Sequence, residues 1–373
     1  LFAATNVLRE RIAQARNLEN FELSQSYLAF WDKFERCNYF LESTLETADL
    51  PTTDRTVMHI LSTGVHDGGQ WDMFANIVRK YGVVPKDVYD ETYQSSNTRP
   101  MNAQLNRALK VAAAKLRKMA AEKADDEAIQ AEKNKALDAV YGFLCSCYGE
   151  PPKTFDFEFV DKDKVYHIEK NLTPLTFAER YVGDLLDQIV SIINAPTADK
   201  PYHKTYTIRL LGNVVEGRPV VHLNLTMEEF KAAIIAQLKA GKVVWFGSDV
   251  GHFGERTMGV WDDNSFDFAA LTGLSLAMSK ADALDYGLAA MNHAMVLTGV
   301  NLDESGKPTR WKIENSWGDK NGEKGYYVCS DSWFDQYVFQ AAVEKEYLGD
   351  LAALAAQEPV VLEPWDPMGT LAD

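Results

Sequence analysis

At Pro151-Pro152 the hydrophobic pattern of the chain changes period, and that switch limits the possible folds more than any other feature. Before it, apolar residues recur at helical spacing: Leu1, Ala4, Leu8, Ile12 and Ala15, then Leu23 to Leu41 and Val57 to Leu61. A glycine-rich break at Gly64 to Gln70 interrupts the pattern. Asp72 to Tyr81 then resumes a helix that Gly82 ends, with Pro85 beyond. Residues 102–147 read as a long Ala/Lys/Glu-rich helical region of two or three helices. After the switch, Phe155, Phe157 and Phe159 alternate with other residues as in a strand. Thr226-Met227-Glu228-Glu229 is a capping box opening a helix that Gly241 closes, and Val243 to Phe246 reads as a buried strand. Helices first and a mostly antiparallel sheet later predict an α+β protein. No internal repeat or low-complexity tract interrupts this order.

A chain of 373 residues with 46% hydrophobic content can bury one large core or two domain-sized ones. Its 8 Trp, 16 Tyr and 18 Phe argue against disorder. A net charge of -16 is a poor match for phosphate backbones, which demand clustered Lys and Arg, so nucleic acid is not an expected partner. The basic run Lys110 to Lys123 is interleaved with Ala, Leu and Val, as on a solvated helix face. No apolar stretch approaches the roughly 20 residues of a membrane span, and no signal peptide is visible. The 4 cysteines are too few for a disulfide framework. Cys37 lies in a helical pattern, Cys145 and Cys147 near a helix end, and Cys329 in a strand. They read as buried reduced thiols of a cytosolic protein. No second Cys/His pair stands at zinc spacing from Cys145 and Cys147, so neither metal nor cofactor is expected. In such a protein the sequons at Asn171 and Asn224 read as chance matches.

The most chemically suggestive residues lie near the C-terminus. Met291 to Val300 reads as a strand, Asn301 to Pro308 as a turn and Thr309 to Asn315 as the returning strand. His293 and Asn315 are equidistant from Glu304 inside the turn. A simple hairpin would therefore set them opposite each other on one face. Asn is a fitting partner if the other ring nitrogen serves a thiolate. Its carbonyl accepts one N–H and orients the ring without adding a negative charge. Protonated histidine then stabilises the thiolate and pulls its pKa down from about 8.5 by several units. Trp317 is placed to cover that hydrogen bond and exclude water. A strand histidine facing an asparagine serves a purely structural role as readily, and the residues alone leave both open. The other histidines are scattered and read as structural.

With Glu22-Leu23-Ser24-Gln25-Ser26-Tyr27-Leu28, Trp31-Asp32-Lys33, Glu35 to Leu41, Asp67-Gly68-Gly69-Gln70-Trp71-Asp72, Trp245 to Gly251 and Glu363-Pro364-Trp365-Asp366-Pro367-Met368-Gly369, the whole chain resembles the bleomycin hydrolase/aminopeptidase C family of papain-like cysteine peptidases. The closing Trp365-Asp366-Pro367 segment is the most specific, because it separates this family from ordinary papain-like enzymes. The resemblance implies His293 as general base and acid, Asn315 as its orienting partner and Trp317 as the covering indole. Gly68 and Gly69 match the edge along which a substrate backbone binds, where the lack of side chains permits close approach. The C-terminal arm of the family lies in the cleft and its end meets the free α-amino group of the substrate, which here implies Asp373. The family pattern runs Gln, several residues, then Cys-Trp-Leu-Phe-Ala-Ala, whereas this chain begins Leu1-Phe2-Ala3-Ala4. The nucleophile and the oxyanion-hole glutamine would therefore precede residue 1, in a segment absent from this sequence.

The resulting expectation is a papain-like two-domain fold: a helical domain over 1–100, a helical insertion over 101–150, a β-rich, barrel-like domain over 151–340 and the arm over 341–373. The expected activity is that of a cytoplasmic cysteine aminopeptidase acting on peptides with a free N-terminus, assembled as a homohexamer as the resemblance implies. The alternatives are an inactive binding or scaffold protein, if the chain starts at Leu1, and an endopeptidase relative.

Overall fold

Pro151 and Pro152 divide helices from sheet in the folded chain. A computed structural model describes residues 1–372. The first part contains α1 (Phe2–Ala15), α2 (Gln25–Glu46), α3 (Arg55–Thr63), α4 (Trp71–Tyr81), α5 (Thr98–Ala121) and α6 (Asp126–Tyr148). The 102–147 region is thus two helices, parted where Asp125 starts α6 by accepting from the Ala128 amide. Ser24 and Asp54 cap α2 and α3 in the same way, each satisfying an amide that the helix leaves unpaired, worth about 1 kcal/mol. Gly82 ends α4 at φ 75, a left-handed conformation that costs glycine little. α2, α5 and α6 pack together, and α5 buries Met101, Leu105, Leu109, Ala113 and Leu116, one stripe at helical spacing.

The second part opens with an isolated hairpin of β1 (Phe155–Val160) and β2 (Tyr166–Leu172). It continues through α7 (Pro174–Tyr181), α8 (Leu185–Gln188), β3 (Ile189–Ile193), β4 (Thr205–Ile208), β5 (His222–Asn224), α9 (Met227–Lys239) and β6 (Val244–Ser248). Short strands β7 (Gly254–Glu255) and β8 (Val260–Trp261) and short helices α10 (Phe268–Thr272) and α11 (Lys280–Asp285) precede β9 (His293–Leu302) and β10 (Pro308–Glu314). The series closes with β11 (Tyr326–Ser330), α12 (Asp331–Tyr337), β12 (Val338–Glu344) and β13 (Val360–Leu362).

Eleven strands join in the order β13-β4-β5-β3-β12-β6-β9-β10-β11-β8-β7. All neighbours are antiparallel except β3–β5, β4–β13 and β8–β11. The sheet separates two cores, and the alternation of side chains along each strand assigns residues between them. Trp245 and Val296 join Leu8, Phe30 and Trp71 on the helical side. Phe246, Met295 and Leu297 join Phe230, Trp311 and Phe334 on the other. α1 packs on β6 and β9 from the helical side, and α9 covers the opposite face. β12, buried along its whole length, holds the two halves of the sheet together. This is the α+β architecture that the order of periodicities predicts.

Candidate active site

His293 opens β9, where it pairs with Ser248 of β6. Asn315 follows the end of β10. The ladder between β9 and β10 does not keep the simple hairpin register. Pro308 stands opposite Leu302, two irregularities follow, and the last pair is Glu314 opposite Val296. Asn315 therefore reaches His293 diagonally, two residues along the same face, instead of standing opposite it. The physical reason lies in the turn. Asp303 Oδ1 accepts from the Ser305 and Lys307 amides and centres the turn one residue later than Glu304. The displacement is even, so the facing side chains are kept.

His293 Nε2 lies 2.8 Å from Asn315 Oδ1. The same oxygen accepts the Ser316 amide at 2.7 Å, which fixes the carboxamide with its oxygen toward the ring. The ring must then donate from Nε2, and in its neutral form Nδ1 carries the lone pair. Among the described residues Nδ1 has no hydrogen-bond partner. Burial lowers the His293 pKa below its ordinary value, the Asn315 hydrogen bond opposes that shift, and the charge of Arg256 adds to it. The indole of Trp317 stacks on the imidazole at 4.8 Å and 28°. The Arg256 guanidinium carbon lies 4.6 Å from that indole.

The start of α1 is held against this pair. Arg9 donates to both carboxylate oxygens of Glu314 at 3.0 and 2.9 Å, and Asn6 adds a bond of 3.3 Å. Glu314 immediately precedes Asn315, so these bonds set the helix against the site. A cavity of about 630 Å³ opens here, lined by Leu1, Phe2, Asp67, Asn315, Ser316 and neighbouring residues. The N-terminal end of α1 directs unpaired amides and the positive end of its dipole toward this point.

Gly68 and Gly69 follow Asp67, which lines that cavity. A Cβ on Gly68 would stand 2.2 Å from the Leu371 carbonyl oxygen, and one on Gly69 would stand 2.9 Å from Arg36 Nη2. Close approach demands glycine at both positions, and at Gly68 the neighbour is the chain's own C-terminal arm. That arm is firmly seated. Arg55 stacks on Trp365 at 3.9 Å, Lys200 pairs with Asp366 at 2.8 Å, and Gln70 donates to the Met368 carbonyl at 3.2 Å. Thr370 donates to the Met291 carbonyl at 3.1 Å, two residues before His293. Leu371 packs over Gly247. Asp373, the expected amine-binding residue, lies outside the described residues.

The sequence model of the peptidase C1-like family matches residues 1–369. The chain belongs to that family. Among relatives of this peptidase C1-like chain, aminopeptidase C of Streptococcus thermophilus is 50% identical over 374 residues, an alignment covering 100% of this chain and 84% of the relative. Aminopeptidase C of Listeria monocytogenes is 46% identical over 373 residues with the same coverage. The crystal structure of PepW from Lactobacillus rhamnosis HN001 superposes with a TM-score of 0.96 at 52% identity, covering 99% of this chain and 83% of that one. The fold of this peptidase C1-like chain is therefore papain-like.

None of the four cysteines is joined to His293 by a hydrogen bond among the described residues. Burial pushes the Cys37 thiol up to about 12 and also raises Cys147 and Cys329, the reverse of an activated nucleophile. Cys145 is half-buried, not buried as its sequence context suggests. Sequence reasoning also gave no role to Asp32, Arg36, Asn213 or Arg256. Asp32 and Arg36 carry a detectable signal, opposite charges four apart in a helical pattern, but their long-range partners do not.

Proposed function

We propose that this chain is the larger part of a cysteine aminopeptidase, with His293 as general base and acid and Asn315 as its orienting residue. The observation that carries the reading is the Nε2–Oδ1 bond of 2.8 Å, held on the far side by the Ser316 amide. It leaves Nδ1 for a partner beside the start of α1. We place the nucleophile on a cysteine just ahead of Leu1, where the helix dipole and protonated His293 both favour a thiolate. The thiolate sulfur attacks the carbonyl carbon of the scissile amide. His293 then gives its proton to the leaving amine, so the C–N bond breaks and a thioester remains. Neutral His293 next takes a proton from water as the water attacks the thioester, and the thiolate is restored. Trp317 shields the imidazole–carboxamide bond from water.

Gly68 and Gly69 let the arm lie where the N-terminal side of a longer substrate would run, so the cleft accepts peptides by their first residue. Asp373 is proposed to meet the substrate ammonium. The test compares a fluorogenic aminoacyl amide with its amino-blocked counterpart, with and without a thiol alkylator, and sequences the N-terminus of the preparation. The expected result is alkylator-sensitive cleavage of the free-amino substrate alone, in a protein carrying a cysteine before Leu1. Alkylator-insensitive cleavage would sink the reading. Truncation of the arm should release cleavage of the blocked substrate.

A cytoplasmic homohexamer is also proposed. Four free thiols suit a reducing compartment. Exposed Phe268, Leu271, Leu274, Leu276 and Met278 supply an apolar segment for contact between copies. Light scattering that returned a monomer mass would exclude the hexamer.

A further inference from the structure

We infer that Arg36 is a positioning residue, a latch that fixes the end of the C-terminal arm against the glycine edge and so sets how strictly the cleft demands a free amino group. The inference rests on the aminopeptidase reading of the arm and assigns to a residue of α2 what that reading leaves to the arm itself.

All three nitrogens of the guanidinium are engaged. Nε pairs with Asp32 Oδ2 at 2.8 Å, Nη2 donates to the Gly68 carbonyl, and Nη1 donates to the Ala372 carbonyl at 3.5 Å. Asp32 is itself held, since Asn213 donates to its Oδ1 at 2.8 Å and to the Met73 carbonyl at 2.9 Å. One turn earlier on α2, Lys33 donates to the His66 carbonyl at 2.8 Å. Two cations of one helix thus hold two carbonyls of the segment that carries the glycines. Among the described residues, only Arg36 of the two reaches across to the arm as well.

Both glycines fit this arrangement. The missing side chain at Gly69 makes room for Arg36 Nη2, and that at Gly68 makes room for the Leu371 carbonyl. A buried ion pair contributes little net stability on average, because desolvation offsets attraction. Arg36 is 6% exposed and Asp32 1%. The pair is better explained by orientation: a planar fork fixed at Nε aims its other two nitrogens, which a lysine cannot reproduce. Arg55–Trp365 and Lys200–Asp366 hold the base of the arm and the Gln70–Met368 and Thr370–Met291 bonds its middle, whereas Arg36 acts on its last described residue.

The experiment measures kcat and KM for the free-amino and amino-blocked substrates in the full-length enzyme, in Arg36→Met, in Arg36→Lys, in Asp32→Asn/Arg36→Met and in a chain ended after Pro367. The double variant leaves no unpaired buried charge, so it keeps the test open if Arg36→Met fails to fold. Both Met variants are expected to raise KM for the free-amino substrate about tenfold with kcat within about twofold, the scale of losing charged hydrogen bonds. The ratio of blocked to free cleavage should rise by a similar factor, with Arg36→Lys in between. Thermal melting identifies the folded variants. If the truncated chain still rejects blocked substrate, the reading of the arm is wrong. If truncation admits blocked substrate while the folded Met variants keep the wild-type ratio and KM, the latch is overturned.

Discussion

His293 and His222 lie on strands of the same sheet, and each meets a neutral side chain at 2.8 Å, Asn315 in one case and Ser191 in the other. Both rings carry their proton on Nε2. Gln340 donates to Ser191 Oγ at 2.9 Å, so the serine hydroxyl donates to His222 Nδ1, the reverse of the His293 arrangement. His222 is fully buried, and burial alone drags its pKa down to about 4. His293 is half-buried, its shift is opposed by the bond to Asn315, and its Nδ1 has no hydrogen-bond partner among the described residues. A histidine and a hydroxyl in contact look like chemistry in a residue count. The comparison teaches that the ring nitrogen left without a partner, on a residue that is not fully buried, decides.

The sharpest way to break the comparison is to remove each ring. His293→Ala should lower kcat/KM by about 10⁴-fold with little change in melting temperature, the scale for a group acting within a catalytic unit. His222→Gln should leave kcat/KM within about threefold. Similar activity losses in both variants would dissolve the distinction.

Next in size is a pH effect on stability. The folded His222 pKa of about 4 lies below the unfolded 6.5, so the unfolded chain takes up a proton first as pH falls. The stability contributed by the neutral ring is complete above pH 6.5 and is lost on descending toward pH 4. That loss is about 3 kcal/mol at 1.36 kcal/mol per unit. Urea melts across this range should show His222→Gln lacking that share of the slope. Parallel curves would count against it.

Asn315→Ala should cost about 10²-fold in kcat, from the wrong ring orientation and tautomer. Asn315→Asp should retain more activity than Ala, with its alkaline limb moved up because a carboxylate favours the charged ring. Smallest of all, Arg256→Ala should raise the His293 pKa slightly, since one repelling charge is gone, and change activity by only a few-fold. Imidazole NMR signals titrating at an unchanged or lower pH would show that Arg256 does not act on the ring.

The sequence made the periodicity switch, the helical character of 102–147 and the proximity of His293 to Asn315 legible, because each depends on local spacing. The number of helices in 102–147 stayed open between two and three. The ladder register was hidden, since it depends on which backbone amides Asp303 captures in the turn. Parity survived, and so did the contact. The setting of Arg36 was hidden for a different reason. Its partners Gly68 and Ala372 stand 32 and 336 positions away, and Asn213 stands 181 from Asp32. Side chains that bridge such distances leave no period to find.

The place of β12 also governs when this protein can exist. Among the described strands it is the last but one in chain order, yet it lies between β3 and β6 at the middle of the sheet. A chain still emerging from the ribosome short of Val338 has two half-sheets with no strand pairing between them, so the wall bearing His293 meets the wall built from β3, β4 and β5 through core packing alone. Long-range pairing of this kind makes folding slow and late. Proteolytic competence would then wait until β12 has been made and has joined the two half-sheets.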